Sequence, residues 1–481
     1  MGGAEKLERQ RSRGLLNARE RIRELLDADS FSEIGSLVGG VSEPDAPADA
    51  FPAGFGRVDG RPVLVGAEDF TVKGGSIGLG AADKRYRLTQ LAAEERVPLI
   101  FMLHGAGHRI TNALKGHGRG PNDLQGLVDL SGVVPTVCLV LGPSAGHSAL
   151  AAPLMDFAVM TKSAALFAAG PPLVEAAIGE KVSKEELGGP EVHGIASGVV
   201  HNVVEDDRAA VALARQYLAH LPSNAWSGPP RIDTGDTGER PLHDILSIIP
   251  CDSRRPYKMR RVLERLVDAH SLLEIQPRYG AALITALARL GGRSVAIVAN
   301  DPMAKAGTLD RAAAEKGARF LEVMGSFHLP VVFLADNPGM MAGKAAEREG
   351  ALRAAARMFA AQRRLRSPKL HVTLRKAFGF GSSMMAMNPF DRQTLSLAFP
   401  GATLGAMPAE GGGMAAGAAA EQQAALDAAE AGGPWRIADS MGFDEIIDPR
   451  EMRDALLRGL ALGDARASLG SAPLGRFGPL P

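Results

Sequence analysis

Apolar positions recur along this chain with two periods, and the alternation of those periods gives the first map of it. Between residues 5 and 27, Leu15, Leu16, Ile22, Leu25 and Leu26 form one face while Arg and Glu fill the other, which predicts a helix. Residues 39–55 are rich in Gly, Pro, Asp and Ala and read as loop. Gly56 to Gly66 reads as two strands around an Asp59-Gly60 hairpin turn. A helix is predicted from Ala81 to Arg96, a buried strand from Pro98 to Leu103, a Gly-rich loop over 115–121, a helix over about 122–132 and a strand from Thr136 to Leu141. Residues 221–257 are dense in Pro, Gly, Ser and Asp and read as a linker, which divides the chain into expected domains 1–230 and 231–481. The cycle then restarts. Leu272-Leu-Glu-Ile-Gln276 is followed by a helix expected over about 278–289, Ser294 to Ala299 and Pro330 to Ala335 read as strands, and Val372 to Leu374 leads into Phe378-Gly379-Phe380-Gly381-Ser382-Ser383. Repeated strand–turn–helix units predict an α/β fold.

The restart is a duplication. Gly75, Lys84, Arg87 and Pro98 match Gly307, Lys316, Arg319 and Pro330 at an offset of 232. Gly146, Ser148, Asp156 and Gly170 match Gly381, Ser383, Asp391 and Gly405 at an offset of 235. Each half carries Gly turns directly after apolar strands, at 104–109 and 142–148 and again at 336–343 and 378–383. Small residues there let a ligand approach backbone N–H groups, which stabilise an enolate or carboxylate oxygen without a titrating side chain. There is no Gly-x-Ser-x-Gly elbow, and Ser148 and Ser383 are expected to cap helices. Met384 to Met387 reads as a core-facing helix.

Composition narrows the chemistry. Acidic and basic residues balance at 54 each in 481 residues, which argues against a broad grip on nucleic acid. The cysteines, Cys138 and Cys251, offer neither a disulfide framework nor a zinc cluster. His104 and His108 are four apart with His117 beyond, but Gly105 and Gly107 argue against the helix on which that spacing would bind a metal. The charged N-terminus has no signal-peptide core, and no apolar run of membrane-spanning length occurs, so a cytoplasmic protein without a membrane role is expected.

These motifs resemble the carboxyltransferase (β) subunit of biotin-dependent acyl-CoA carboxylases, of the propionyl-CoA and methylcrotonyl-CoA carboxylase type. The resemblance runs through Asn17-Ala-Arg-Glu-Arg-Ile22, Gly142-Pro-Ser-Ala-Gly146, Lys316-Gly-Ala-Arg-Phe320, Asp336-Asn-Pro-Gly339 and Arg375-Lys376-Ala377. It implies two crotonase-like ββα-superhelix domains, with acyl-CoA on the N-domain side and carboxybiotin on the C-domain side. It implies that biotin sits on a separate carrier, supplied with biotin carboxylase by an α-subunit; this chain has no Ala-Met-Lys-Met motif. A homo-oligomer arranged as a trimer of dimers is also implied. Carried over by position, the N-domain oxyanion donors are Ala106 and Gly107, and the C-domain donors are Phe380 and Gly381. The acyl-CoA side takes in His104, His108, Gly74, Gly75, Ser76, Gly142, Ser144, Ala145, Gly146, Ser382 and Ser383. The carboxybiotin side takes in Asn337, Pro338, Gly339 and Gly379. The family's C-domain loop Tyr-Gly-Gly-Ala-Tyr-Asp is here Phe378-Gly-Phe-Gly-Ser-Ser383, and loss of the acidic residue to Ser383 implies a different acyl group. His104 and His108, in the loop that replaces the family's Asp-Ser-Gly-Gly-Ala, are expected to meet a polar or acidic one. A decarboxylase subunit or lyase on the same fold is one alternative. A catalytically silent assembly partner is another, from a different class.

Overall fold

The computed structural model describes residues 1–40, 43–115 and 122–468. The chain divides into two compact units, Met1–Trp226 and Ser227–Gly470. Most of the Gly-rich loop expected at 115–121, and His117 within it, lie outside the described residues.

Unit 1 is built on a seven-stranded sheet in the order β1 (Ser32–Glu33), β2 (Ala53–Val58), β3 (Arg61–Ala67), β4 (Leu99–Leu103), β5 (Thr136–Val140), β7 (Phe157–Thr161), β9 (Asn202–Val204). Two short strands, β6 (Pro143–Ala145) and β8 (Ala165–Phe167), pair separately. β1 to β3 are antiparallel, and from β3 onward every pairing is parallel. All five residues of β4 and of β5 are buried, as strands covered on both faces require. Unit 2 repeats the plan: β10 (Leu273–Ile275), β11 (Leu283–Leu290), β12 (Arg293–Asn300), β13 (Val331–Asn337), β14 (Lys369–Phe378), β15 (Leu395–Ala398), β17 (Glu445–Ile446), with β16 (Thr403–Gly405) on the far end of β14.

The halves agree in detail. Asp59-Gly60 and Gly291-Gly292 turn equivalent hairpins, all four with positive φ. The single turns Lys73–Gly75 and Lys305–Gly307 carry the same kink, and a Cβ on Gly75 or Gly307 would fall 2.4 Å from the carbonyl oxygen of His104 or Asp336. Lys84 and Lys316 are both buried with their ammonium groups on backbone carbonyls, of Ala48 at 2.9 Å and of Tyr279 at 2.8 Å. Burial lowers their pKa values to about 8 and about 7.

Three expected helices are different; in one of them, Met384 to Met387, the helix ends at Met384 and residues 385–386 form a turn. Residues 278–289 hold β11, not a helix. Leu-Ile-Thr-Ala-Leu-Ala-Arg-Leu is buried at every position, so it carries no stripe to separate the two periods, and antiparallel pairing to both β10 and β12 decides. The helix expected over 5–27 is two, Ala4–Arg11 and Ala18–Leu25. Gly14 at φ +73° breaks the chain, and Asn17 starts the second helix with a capping box to Glu20.

Candidate active site

In unit 1 the predicted Gly segments do come together, stitched edge to edge by backbone bonds. Ala106 N–H donates to Gly74 O (3.1 Å), Ile77 N–H to Gly107 O (2.8 Å), Ala145 N–H to Gly105 O (3.1 Å) and Gly146 N–H to Phe167 O (2.9 Å). Gly107 needs its lack of side chain: a Cβ would lie 2.6 Å from Ala145 O. This stitching corrects one assignment. The Ala106 amide, expected to hold an oxyanion, already serves Gly74.

The Gly107 amide, the other expected donor, keeps no acceptor among the described residues, and a second set of free amides lies further along. Gly146, at φ +58°, is the N-cap of the His147–Leu154 helix. The N–H groups of His147 and Ser148 in its first turn have no acceptor among the described residues, as the geometry of a helix start dictates. In unit 2, Gly379 at φ +56° follows β14 and opens the Gly379–Met384 helix, where the amides of Phe380 and Gly381 are likewise without an acceptor. Matching Gly146 to Gly379 sets the offset at this turn to 233, so His147 and Ser148 are the counterparts of Phe380 and Gly381. The offset of 235 read from the sequence is corrected: β7 and β15 pair one strand over at an offset of 238, and 235 falls between the two true registers.

The side chains around these amides are mostly committed. His104 is 3% exposed and faces no ligand. Its ring stacks on Phe70 (4.5 Å), it lies where a Cβ on Gly142 would be, and its Nδ1 accepts from Arg21 (3.2 Å). Burial, reinforced by the Arg21 charge, lowers its pKa to about 3. A role for His104 in contacting substrate is therefore withdrawn. His108 is exposed, its ring edge-on to His147 at 4.7 Å. Ser76 is buried between Lys73 O and the Arg109 guanidinium. Ser144 is fully buried, and its hydroxyl has no partner among the described residues. Neither Ser148 nor Ser383 caps a helix: both lie inside one, and the Ser148 hydroxyl donates to Glu68 Oε1 (2.5 Å).

In unit 2, Asn337 Oδ1 accepts from Gly339 N–H (3.1 Å), and its Nδ2 donates to Asn300 Oδ1 (3.2 Å). Asn337 and Gly339 thus brace the turn. A Cβ on Gly381 would fall 2.3 Å from Asn337 Oδ1, so the helix start is seated against that brace. Pro338 has no N–H to offer. Arg375 fixes the strand end, with Nε on Asp336 Oδ2 (2.8 Å) and its guanidinium over the Tyr257 ring (4.6 Å). The Ser382 hydroxyl donates to Gly379 O (2.7 Å) and so does not compete for a ligand at the Phe380 and Gly381 amides. The Phe380 side chain is 42% exposed and packs on Phe359 at 5.3 Å.

What such turns can do follows from charge. Paired N–H donors at a strand-to-helix turn, near the positive end of the helix, lower the energy of an oxygen that gains negative charge. Among the described residues no group of three or more His, Cys, Asp and Glu side chains is arranged to hold a metal, and no helix is long and apolar enough to cross a membrane.

The family model described as carboxyl transferase domain matches residues 9–469. The chain is 37% identical over 419 residues to the methylmalonyl-CoA carboxyltransferase 12S subunit of Propionibacterium freudenreichii subsp. shermanii, covering 85% of this chain and 79% of that one. It is 34% identical to the methylmalonyl-CoA decarboxylase subunit alpha of Veillonella parvula, covering 96% and 92%. It is 33% identical to the human mitochondrial propionyl-CoA carboxylase beta chain, covering 85% and 78%. The crystal structure of a transcarboxylase 12S hexamer with methylmalonyl-coenzyme A and methylmalonic acid bound superposes with a TM-score of 0.91 at 34% identity, over 100% of this chain and 96% of that one.

Proposed function

This chain belongs to the carboxyl transferase family, with the crotonase-like fold of its relatives, and we propose that it moves a carboxyl group between biotin on a partner's carrier and the α-carbon of an acyl-CoA. The observation that carries the reading is the matched pair of unspent amide pairs, His147 and Ser148 in unit 1 and Phe380 and Gly381 in unit 2. Donors without acceptors at equivalent turns of a duplicated fold fit a reaction with two developing oxyanions. Unit 1 takes the acyl-CoA: its His147 and Ser148 amides hold the thioester oxygen as the α-proton leaves. Unit 2 takes the biotin side. There the Phe380 and Gly381 amides hold an anionic oxygen, Asn337 and Gly339 keep the turn in place, and Phe380 offers an apolar ring beside it. Biotin, when bound, supplies the carboxyl group.

The chain would work in the cytoplasm with a biotin carboxylase/biotin carrier α-subunit, as a trimer of dimers. The likeness to the Veillonella decarboxylase subunit favours a second direction at the same site, in which the carboxyl group leaves the acyl-CoA for biotin. Both readings are tested by incubating the purified full chain with a carboxybiotinylated carrier and a panel of acyl-CoAs carrying neutral or acidic acyl groups. Labelled carboxyl appearing in one acyl-CoA, or lost from its carboxylated form to the carrier, is expected. No transfer in either direction, from a chain that still binds CoA esters, contradicts the reading and favours a silent assembly partner.

A further inference from the structure

One buried cluster in unit 1 is not used by amide chemistry. Glu68, Arg85 and Asp123 have side chains no more than 1% exposed. Arg85 Nε donates to Asp123 Oδ2 (2.7 Å), and its Nη1 donates to Glu68 Oε1 (3.1 Å). The other Asp123 oxygen lies 2.5 Å from Nε2 of His147. Burial alone would raise the Asp123 pKa, but Arg85 and His147 outweigh it and bring it to about 2. An ionised Asp123 accepts the Nε2 proton, which fixes the tautomer and leaves Nδ1 with its lone pair. Nδ1 has no partner among the described residues, and the side chain is 12% exposed. His108 packs edge-on against the same ring at 4.7 Å and limits its rotation. The imidazole belongs to the very residue whose N–H is unspent.

We propose that His147, oriented by Asp123, is a side-chain base for the α-proton of a bound acyl-CoA, and that the chain exchanges that proton with solvent in the absence of biotin. The inference rests on the reading that unit 1 takes the thioester. The α-carbon–hydrogen bond breaks and the proton goes to Nδ1. The electron pair moves into the carbonyl, and the resulting enolate oxygen accepts from the His147 and Ser148 amides. The imidazolium, held by Asp123, trades its proton with water and returns one to carbon. Nothing is oxidised or reduced, and the acyl-CoA is regenerated. The proposed amide chemistry of the site needs no such base; a dyad of this kind adds one.

The test is propionyl-CoA incubated in D2O with the purified full chain, without biotin or ATP, with deuterium at the α-carbon read by mass spectrometry. Exchange well above the protein-free rate is expected. His147→Ala is expected to lower it by about 10²-fold or more, in the range of a lost general base. Adding imidazole to that variant restores part of the exchange, which a merely structural role would not produce. Asp123→Asn lowers the exchange while His147 remains. Carboxyl transfer from a carboxybiotinylated carrier is measured on the same preparations. Transfer by the wild-type chain with exchange no faster than the protein-free rate overturns the base and leaves the carboxyl-transfer reading standing. Absence of both transfer and exchange overturns the two together. Exchange that survives His147→Ala undiminished also overturns the base.

Discussion

Gly381 shows how much one missing methyl group holds in place. Its Cα position is occupied on the open side by Asn337 Oδ1 at 2.3 Å and by Gly339 Cα at 2.9 Å from any added Cβ. Gly381→Ala must push the first helical turn off that brace and re-aim the Phe380 and Gly381 amides. Overpacking of this kind costs about 1–3 kcal/mol, and misplacing an oxyanion donor lowers kcat by roughly 10²–10³-fold. Carboxyl transfer is therefore expected to collapse while CoA-ester affinity holds. Gly401→Ala, where an added Cβ meets nothing within 4 Å, is expected to leave both unchanged. Paired kinetics and binding measurements check this. The site was legible in the sequence at the level of the turns, since Gly142 to Gly146 and Gly379 to Gly381 mark them plainly. That one expected donor in unit 1 is spent was not legible. Ala106 looks free in sequence, and only the bond to Gly74 reveals that it is spent. His147 was within reach as a signal: Gly146 and Gly379 are each followed at once by a large ring, but a uniform offset of 235 hides that match.

At the scale of elements, the strand ends are fixed by charges buried beneath them. Arg21, on the Ala18–Leu25 helix, is fully buried and ties Asp207 (2.9 Å), His104 Nδ1 (3.2 Å) and Leu141 O (3.0 Å), so a helix, a turn and a strand end share one guanidinium. It requires a neutral His104, as the depressed pKa of about 3 reflects. The sign of the linkage follows. A histidine whose folded pKa lies below its ordinary value of 6.5 contributes fully above pH 6.5, and its contribution is lost as pH falls toward 3, because the unfolded chain takes up the proton first. At pH 5 the loss for His104 is about 2 kcal/mol. His371, buried within β14 and lowered to about 4, adds a loss of the same sign. Thermal unfolding is expected to shift to lower temperature from pH 7 to pH 5, and His371→Leu to flatten the shift. A midpoint independent of pH across that window contradicts the assignment. The elements also show where sequence reading stops. The β2–β3 hairpin was legible from its Asp59-Gly60 turn, and β2 alternates between buried and exposed positions over part of its length. Alternation failed for β11, where both faces are dry and the run reads equally as helix or strand.

For the whole molecule, the duplication is the organising fact. Two sheets of one strand order, two kinked lysine turns and two strand-to-helix turns with unspent amides recur in one chain. A fold doubled in this way supplies two similar turns with unspent amides from one design, which suits the proposed chemistry of two developing oxyanions. Family membership across residues 9–469 accords with that economy. The two sites differ in what surrounds the amides: His147 on Asp123 in one unit, Phe380 on Phe359 in the other. The measurement that bears most directly on the account is a crystal structure of the full chain with a non-hydrolysable acyl-CoA analogue whose thioester oxygen is replaced by an enolate mimic. The account predicts that oxygen within hydrogen-bonding distance of the His147 and Ser148 N–H groups. An analogue whose oxygen is held by the Ala106–Gly107 loop, with the His147 and Ser148 amides left facing water, would contradict it.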